Sequence, residues 1–300
     1  MPTDIEKSKK FEMQTYIKSM QAMYGNAILQ NREIYDFAFL KTRGFSKITS
    51  EAIISDSRIV KILRYIIAPS ISQMKFGQFF GLSTIETLER DRLVSGVHYE
   101  TLKRLAPKIA DFVEQYSDKT RFIWNDQKLS AESREIAETY ARNWTCSLIA
   151  DQNAQTEYRN WRKTQQEASI EKALIDLGYV RSSFSGEISN ATDIKIGEYT
   201  KERKVLGSTS QKADLAVRRK KDGKLFLIEA KAVGVQVDAF KRVKECCDKV
   251  RDWKQNSKLG KIEVISVIAG FFSEANLTAL KKAGAHIVWE HNLGKLGNVI

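Results

Sequence analysis

KADLAVRRKKDGKLFLIEAKAV, residues 212–233, places two runs of strand-forming residues on either side of Asp222-Gly223. Asp-Gly between two such runs is a strong signal for a two-residue hairpin turn. Residues 214–218 are therefore expected to pair antiparallel with 224–233, which brings Asp214 back towards Glu229 and Lys231. Side chains alternate along a strand, so Glu229 and Lys231 share one face while Ala230 points to the other. Three charged groups then converge at one end of a hairpin whose second strand is otherwise Leu225, Phe226, Leu227 and Ile228. Charge in such surroundings is costly unless it is paired or ligates a metal.

Two carboxylates, Asp214 and Glu229, with the backbone carbonyl of Ala230 suit a hard, oxygen-seeking cation such as Mg2+. A cation held there polarises a phosphate and acidifies a bound water, and Lys231 is placed to orient that water and offset charge growing on the phosphate. Phosphodiester hydrolysis is the reaction this set points to, with Asp214, Glu229 and Lys231 as catalytic residues. The plainer alternative is that Asp214 merely ends a strand while Glu229 and Lys231 form an exposed cross-strand pair. A bare E-x-K run does not separate the two.

Charge supplies the context. The formal net charge is +12, and residues 201–261 hold 18 Lys and Arg against 8 Asp and Glu, so this stretch alone carries +10. Concentrated positive charge points to a polyanionic partner, and a nucleic acid is the one that carries phosphodiesters for such a site to hydrolyse. The first residues, MPTDIEKSKKFEM, resemble neither a secretory signal nor a transit peptide. The most apolar run, IVKILRYIIA, is broken by Lys61 and Arg64, so no membrane span is expected. Three cysteines, with Cys246 and Cys247 adjacent and Cys146 remote, make neither a disulfide framework nor a structural zinc site. A cytoplasmic protein without a nucleotide cofactor is the expectation.

The fold class expected is α/β with two domains. The first 170 or so residues show apolar spacing of three and four, as in ESREIAETYARNW, and read as amphipathic helices. From Gly178 onward short alternating runs appear, in DLAVRR, KLFLIEAKAV and KIEVISVIAGFF, separated by helical DAFKRVKECCDKVRDWKQ and EANLTALKKAG. The border is placed near residues 150–160, giving a helical domain at 1–155 for DNA recognition and an α/β domain with a mixed sheet at 156–300.

Several DNA contacts suggest themselves. Within SQMKFGQFFGLSTIETLERDR, residues 72–91 have the layout of a helix-turn-helix: Ser72 and Gln73 open a helix, Gly81 turns, and Ser83 caps a second helix. Thr84, Thr87 and Arg90 of that second helix would read base edges. The alternative is a structural helical pair in which Phe76, Phe79 and Phe80 pack a core. Arg159, Arg162 and Lys163 in EYRNWRKTQ are further candidates for phosphate contact. After the catalytic strand, residues 238–255 form a basic helix that could lie along DNA; Lys241 and Arg242 of that helix, with Gln236 just before it, are the contacts expected, whereas Lys249 and Lys254 read as ordinary solvated lysines. His286 and His291 are assigned no catalytic role, because AHIVWEH reads as a closing strand with Trp289 as its packing anchor.

Asp214, Glu229 and Lys231 occupy the positions that define the PD-(D/E)XK nuclease superfamily, which this segment resembles; Ala213 stands where that pattern often has proline. The resemblance implies an acid on the preceding helix, and in QQEASIEKALIDLGY it falls on Glu167 rather than Glu171. A closer resemblance covers residues 200–300. The order KAD, IEAK, FKRVKECCDKVRDW, then Gly270, Phe271, Asn276, Leu277, Gly284, Ile287, Trp289 and His291, is similar to the XamI group of type II restriction endonucleases. Lys241 and Arg242 match a Lys-Arg pair of that group, although Phe240 replaces the small residue expected before it. This implies a bacterial, Mg2+-dependent endonuclease acting as a homodimer on a short palindromic site, with a restriction-endonuclease-like core. Two other readings stay open: a superfamily nuclease of DNA repair or recombination, and a non-catalytic helix-turn-helix regulator.

Overall fold

The computed structural model describes residues 3–207, 209, 211–256 and 259–300 of the 300-residue chain. It divides into two compact units, residues 20–156 and residues 1–19 with 157–300. Two long helices, α1 (Asp4–Lys41) and α7 (Ala131–Asp176), carry residues of both.

Unit 20–156 is helical. Between its shares of α1 and α7 come α2 (Ser50–Ser55), α3 (Ile59–Ile66), α4 (Gln73–Phe79), α5 (Glu86–Glu89) and α6 (Val97–Tyr116). Helix α3 is apolar except for Lys61 and Arg64 and lies largely inside, where Ile62, Leu63 and Ile66 pack with Phe45, Phe76, Ile109 and Phe122. The arginine on this helix, Arg64, is buried yet paired: it reaches the Glu89 carboxylate at 3.0 Å and the Ile71 carbonyl at 2.6 Å. No helix among the described residues is long and apolar enough to cross a membrane.

The second unit is built on a mixed sheet whose order follows the sequence: β1 (Val180–Arg181), β2 (Glu198–Lys204), β3 (Lys212–Arg218), β4 (Leu225–Val233), β5 (Glu263–Gly270) and β6 (Ala285–Trp289). Strands β2, β3 and β4 run antiparallel in turn, whereas β4, β5 and β6 are parallel. Parallel neighbours need crossovers, and α8 (Gln236–Gln255) and α9 (Glu274–Ala283) supply them. One face of the sheet packs Leu225, Leu227, Val264 and Ile268 against Val243, Val250, Trp253 and Leu280 of these helices. On the other face Leu215, Phe226, Ile228 and Val267 meet Ile170 and Leu174 of α7. Strand β6 and Trp289 close the sheet as the sequence suggests; polar EYTKERK, which becomes β2, gave no such alternation.

The β3–β4 connection differs from the expected turn. A two-residue turn at Asp222-Gly223 would set Asp214 opposite Lys231. Instead Arg219 and Lys224 close a longer loop: the Arg219 N–H donates to the Lys224 carbonyl, and the Gly223 N–H donates to the Arg219 carbonyl. The Arg219 guanidinium holds Asp222 within that loop at 2.7 Å. The register moves accordingly, with Leu215 opposite Ile228 and Arg218 opposite Leu225. Asp214 therefore falls opposite Glu229.

Gly270 ends β5 beside Val233. Its φ is +94°, and a Cβ built there would lie 2.0 Å from the Val233 carbonyl oxygen. Gly270→Ala is expected to lower stability by about 2–4 kcal/mol through backbone strain and that clash. Chemical denaturation checks this, and a loss below about 0.5 kcal/mol would show that the strand end relaxes freely.

Candidate active site

The site forms where β3 and β4 lie side by side at the end away from their loop. Asp214 is buried, and its Oδ2 accepts the Ala230 N–H at 2.7 Å, which ties the carboxylate to the neighbouring strand. Glu229 is fully buried. Strand alternation puts it on the α8 face with Leu225, Leu227 and Val233. Lys231, two residues on, reaches back and donates to Glu229 Oε1. Asp214, Glu229 and Lys231 are thus brought together, with Ala230 as the backbone link between them.

Burial first, and the Asp214 charge second, push the Glu229 carboxyl above its ordinary range, against the pull of two lysines. Burial alone would lower Lys231; Glu229 and Asp214 outweigh it and hold the ammonium above the usual lysine value. Lys231 therefore remains a cation throughout the physiological range.

The second lysine is Lys249 of α8, which the sequence reading left in solvent. Its Nζ lies 2.8 and 2.9 Å from the two Glu229 oxygens and 2.7 Å from the Lys212 carbonyl. The physical reason is helical geometry. Lys249 follows buried Cys246 by three positions and precedes buried Trp253 by four, so it sits on the inward stripe of α8. A charge on an apolar stripe was the available signal. Lys254, the other lysine set aside, is exposed and reaches the Gly284 carbonyl at 2.6 Å.

On α7, Glu167 and Glu171 part company. Glu171 belongs to β2: it accepts from Lys201 at 2.8 Å and from the Tyr199 hydroxyl at 2.9 Å, and these bonds hold it below the usual carboxylate range despite partial burial. Glu167 is buried, with Lys163 at 3.5 Å. Burial and then the Asp214 charge raise its carboxyl above the ordinary range, so Glu167 faces the site electrostatically and Glu171 does not.

These acids match a hard cation in kind. Glu167 Oε1 is buried with no hydrogen-bond partner, and within the field of Asp214 its counter-charge is the Lys163 ammonium at 3.5 Å, on a side chain that is 62% exposed. In arrangement the fit is incomplete. Among the described residues no group of three or more His, Cys, Asp or Glu is gathered to hold a metal ion, and both Glu229 oxygens are engaged by lysines.

The expected DNA contacts are placed as follows. Gln236, Lys241 and Arg242 are exposed along the first half of α8, with Arg242 paired to Glu245 at 3.1 Å. Arg162, expected on the surface, is instead 4% exposed between Glu12 and Glu290, at 2.8 and 2.7 Å. That carboxylate pair explains why a guanidinium can be buried there, and it removes Arg162 from the DNA contacts. Lys163 lies near Glu202 at 3.6 Å as well as Glu167. His286 bonds Glu263 at 3.2 Å and His291 lies 3.8 Å from Asp4, both away from the acids described.

In the helical unit Ser72 caps α4 as expected, accepting the Lys75 N–H at 3.3 Å. Ser83 does not cap the second helix. Thr84 Oγ1 takes the Glu86 N–H at 3.2 Å, and α5 is a single turn, Glu86–Glu89. Gly77 permits this compact turn, since a Cβ there would lie 2.5 Å from the Thr84 carbonyl carbon. Thr87 and Arg90 are exposed and Thr84 is half-buried, with Arg90 paired to Glu86 at 2.8 Å. Phe76 is a core residue, Phe80 is partly buried and Phe79 is exposed.

Comparison with curated proteins and with solved structures gave no match. The model of the XamI restriction endonuclease family matches residues 43–289, which take in most of the helical unit, the β3–β4 hairpin and every strand of the sheet. The chain belongs to the XamI restriction endonuclease family, and so to the nucleases that act on DNA.

Proposed function

We infer that the protein is a type II restriction endonuclease, cutting both strands of a short double-stranded DNA site with Mg2+ as cofactor. The observation that carries this reading is the meeting of Asp214, Glu229 and Lys231 at the β3–β4 hairpin, with the Asp214 carboxylate anchored on the Ala230 N–H. This is the constellation of a PD-(D/E)XK nuclease, and family membership supplies its substrate.

Asp214 and Glu229, with the Ala230 carbonyl, are the groups that would hold Mg2+; Glu167 would complete the acidic set. When bound, the ion supplies Lewis acidity and an acidified water. Lys231, kept protonated by its two acidic neighbours, is suited to orient the attacking water and to meet charge growing on the phosphate. Gln236, Lys241 and Arg242 along α8 would set the register of the duplex through its phosphates, and Thr84, Thr87 and Arg90 are the candidates for base contact. A palindromic site is matched most simply by a homodimer with one centre per strand.

Incubation with phage DNA and Mg2+ tests the reading: discrete fragments that vanish with chelator are expected. No cutting with any divalent ion would favour a DNA-binding regulator, and cutting confined to branched DNA a repair nuclease. Within the acidic set, Glu167→Gln is expected to slow cleavage by about tenfold or more and Glu171→Gln by less than about twofold. Equal losses in the two variants would remove Glu167 from the centre.

A further inference from the structure

We propose that Lys249 is a built-in counter-cation of Glu229, holding that carboxylate in the metal-free protein and yielding it when a divalent cation enters. This rests on the reading of Glu229 as a metal ligand.

Geometry singles Lys249 out from the other basic residues of α8. Arg242 and Arg251 pair with Glu245 and Asp248 of their own helix, and both arginines are more than half exposed. The Lys249 side chain is 19% exposed and leaves its helix altogether, to meet a carboxylate with no exposure. An ammonium has three protons to donate, and here it finds three acceptors on the sheet: Glu229 Oε1, Glu229 Oε2 and the Lys212 carbonyl. The Trp253 ring lies beneath the ammonium at 5.7 Å. Lys249 thus bridges the start of β3 to the acid on β4, the two strands that carry the site.

The need for such a group follows from burial. Glu229 lies opposite Asp214, and two carboxylates with little solvent repel each other unless cations intervene. Lys231 engages Glu229 Oε1 alone, whereas Lys249 spans both oxygens. A divalent cation on Glu229 needs at least one of those oxygens, so it and the Lys249 ammonium compete. Lys249 is accordingly a positioning residue: it holds the Glu229 carboxylate in place before the metal arrives, and it sets how tightly the metal is held.

The test uses the full-length protein with Mn2+ as the probe, without DNA, followed by electron paramagnetic resonance of the free ion. Lys249→Met is expected to bind Mn2+ about fivefold tighter or more, the lower end of coupling between linked sites. In chelator the same variant should melt ~5 °C below wild type, because Glu229 has lost a counter-charge. Lys249→Arg should recover at least half of that loss. Lys249→Gln, which keeps a donor without charge, gives the affinity measurement if the methionine variant fails to fold. A lysine that merely braced the helix would lower the melting temperature without changing Mn2+ affinity, and that result overturns the proposal. Glu229→Gln separates the two readings. If it abolishes Mn2+ binding while Lys249→Met leaves affinity unchanged, Glu229 is a ligand and the role of Lys249 is wrong. If Glu229→Gln binds Mn2+ as wild type does, the metal site itself is wrong and the proposal falls with it.

Discussion

Asp214→Asn is expected to lower the cleavage rate by about a thousandfold or more while the protein stays folded and binds DNA. Asparagine has the same shape, and its side-chain oxygen can still accept the Ala230 N–H that anchors Asp214 at 2.7 Å. The loss is therefore one of charge and not of architecture. A thousandfold is about 4 kcal/mol of barrier, within what a group holding a cation against a developing phosphate charge contributes. Lys231→Ala should cost a similar factor, since it removes the cation suited to orient the attacking water and to meet the charge growing on the phosphate. Single-turnover cleavage, read alongside DNA binding in chelator, distinguishes chemistry from affinity. A rate within tenfold of wild type for Asp214→Asn would place the chemistry elsewhere.

The largest expected stability effect lies outside the acidic centre. Arg162 donates to Glu12 through Nε and Nη2, at 3.0 and 2.8 Å, and to Glu290 through Nη1 and Nη2, at 3.0 and 2.7 Å. All three side chains are about 5% exposed or less. Burial alone would lower the arginine pKa, but the two carboxylates more than reverse that. Tyr158 adds its hydroxyl to Glu12 at 2.8 Å. Arg162→Met leaves two buried carboxylates without a counter-charge, a change that typically costs about 3–5 kcal/mol. For a chain of this size the melting temperature should fall by roughly 10 °C. Adding Glu12→Leu and Glu290→Leu to Arg162→Met should recover most of the loss, because the penalty is the unpaired charge. Failure of the triple variant to recover would assign the loss to packing instead.

The contrast between Arg162 and Asp214 marks what the sequence can reveal. Asp214, Glu229 and Lys231 are joined by a short loop, so strand alternation and one Asp-Gly step were enough to bring them together. Even there the exact register escaped, because Asp222 is held by Arg219 in a longer loop. The partners of Arg162 lie 150 and 128 residues away in the chain. Nothing local in EYRNWRKTQ separates a buried guanidinium from a solvated one. Lys249 is an intermediate case: its place on the inward stripe of α8 was readable, but its acceptors on β3 and β4 required the fold. Ser83 misled because Ser and Thr in a short polar turn offer the backbone several local bonds at nearly equal cost: Thr84 accepts the Glu86 N–H, and the N-cap position falls on Ile85, without a side-chain cap. Strand β2 was invisible for a related reason, since EYTKERK lacks apolar alternation and is fixed by pairing with β3.

The most direct test of the central claim is to sequence the ends of the fragments made from a long DNA by the wild-type protein with Mg2+, with Asp214→Asn purified in parallel. The account predicts one short palindromic sequence at every end and no new ends from the variant. Ends without a shared sequence, or the same ends from Asp214→Asn, would contradict it.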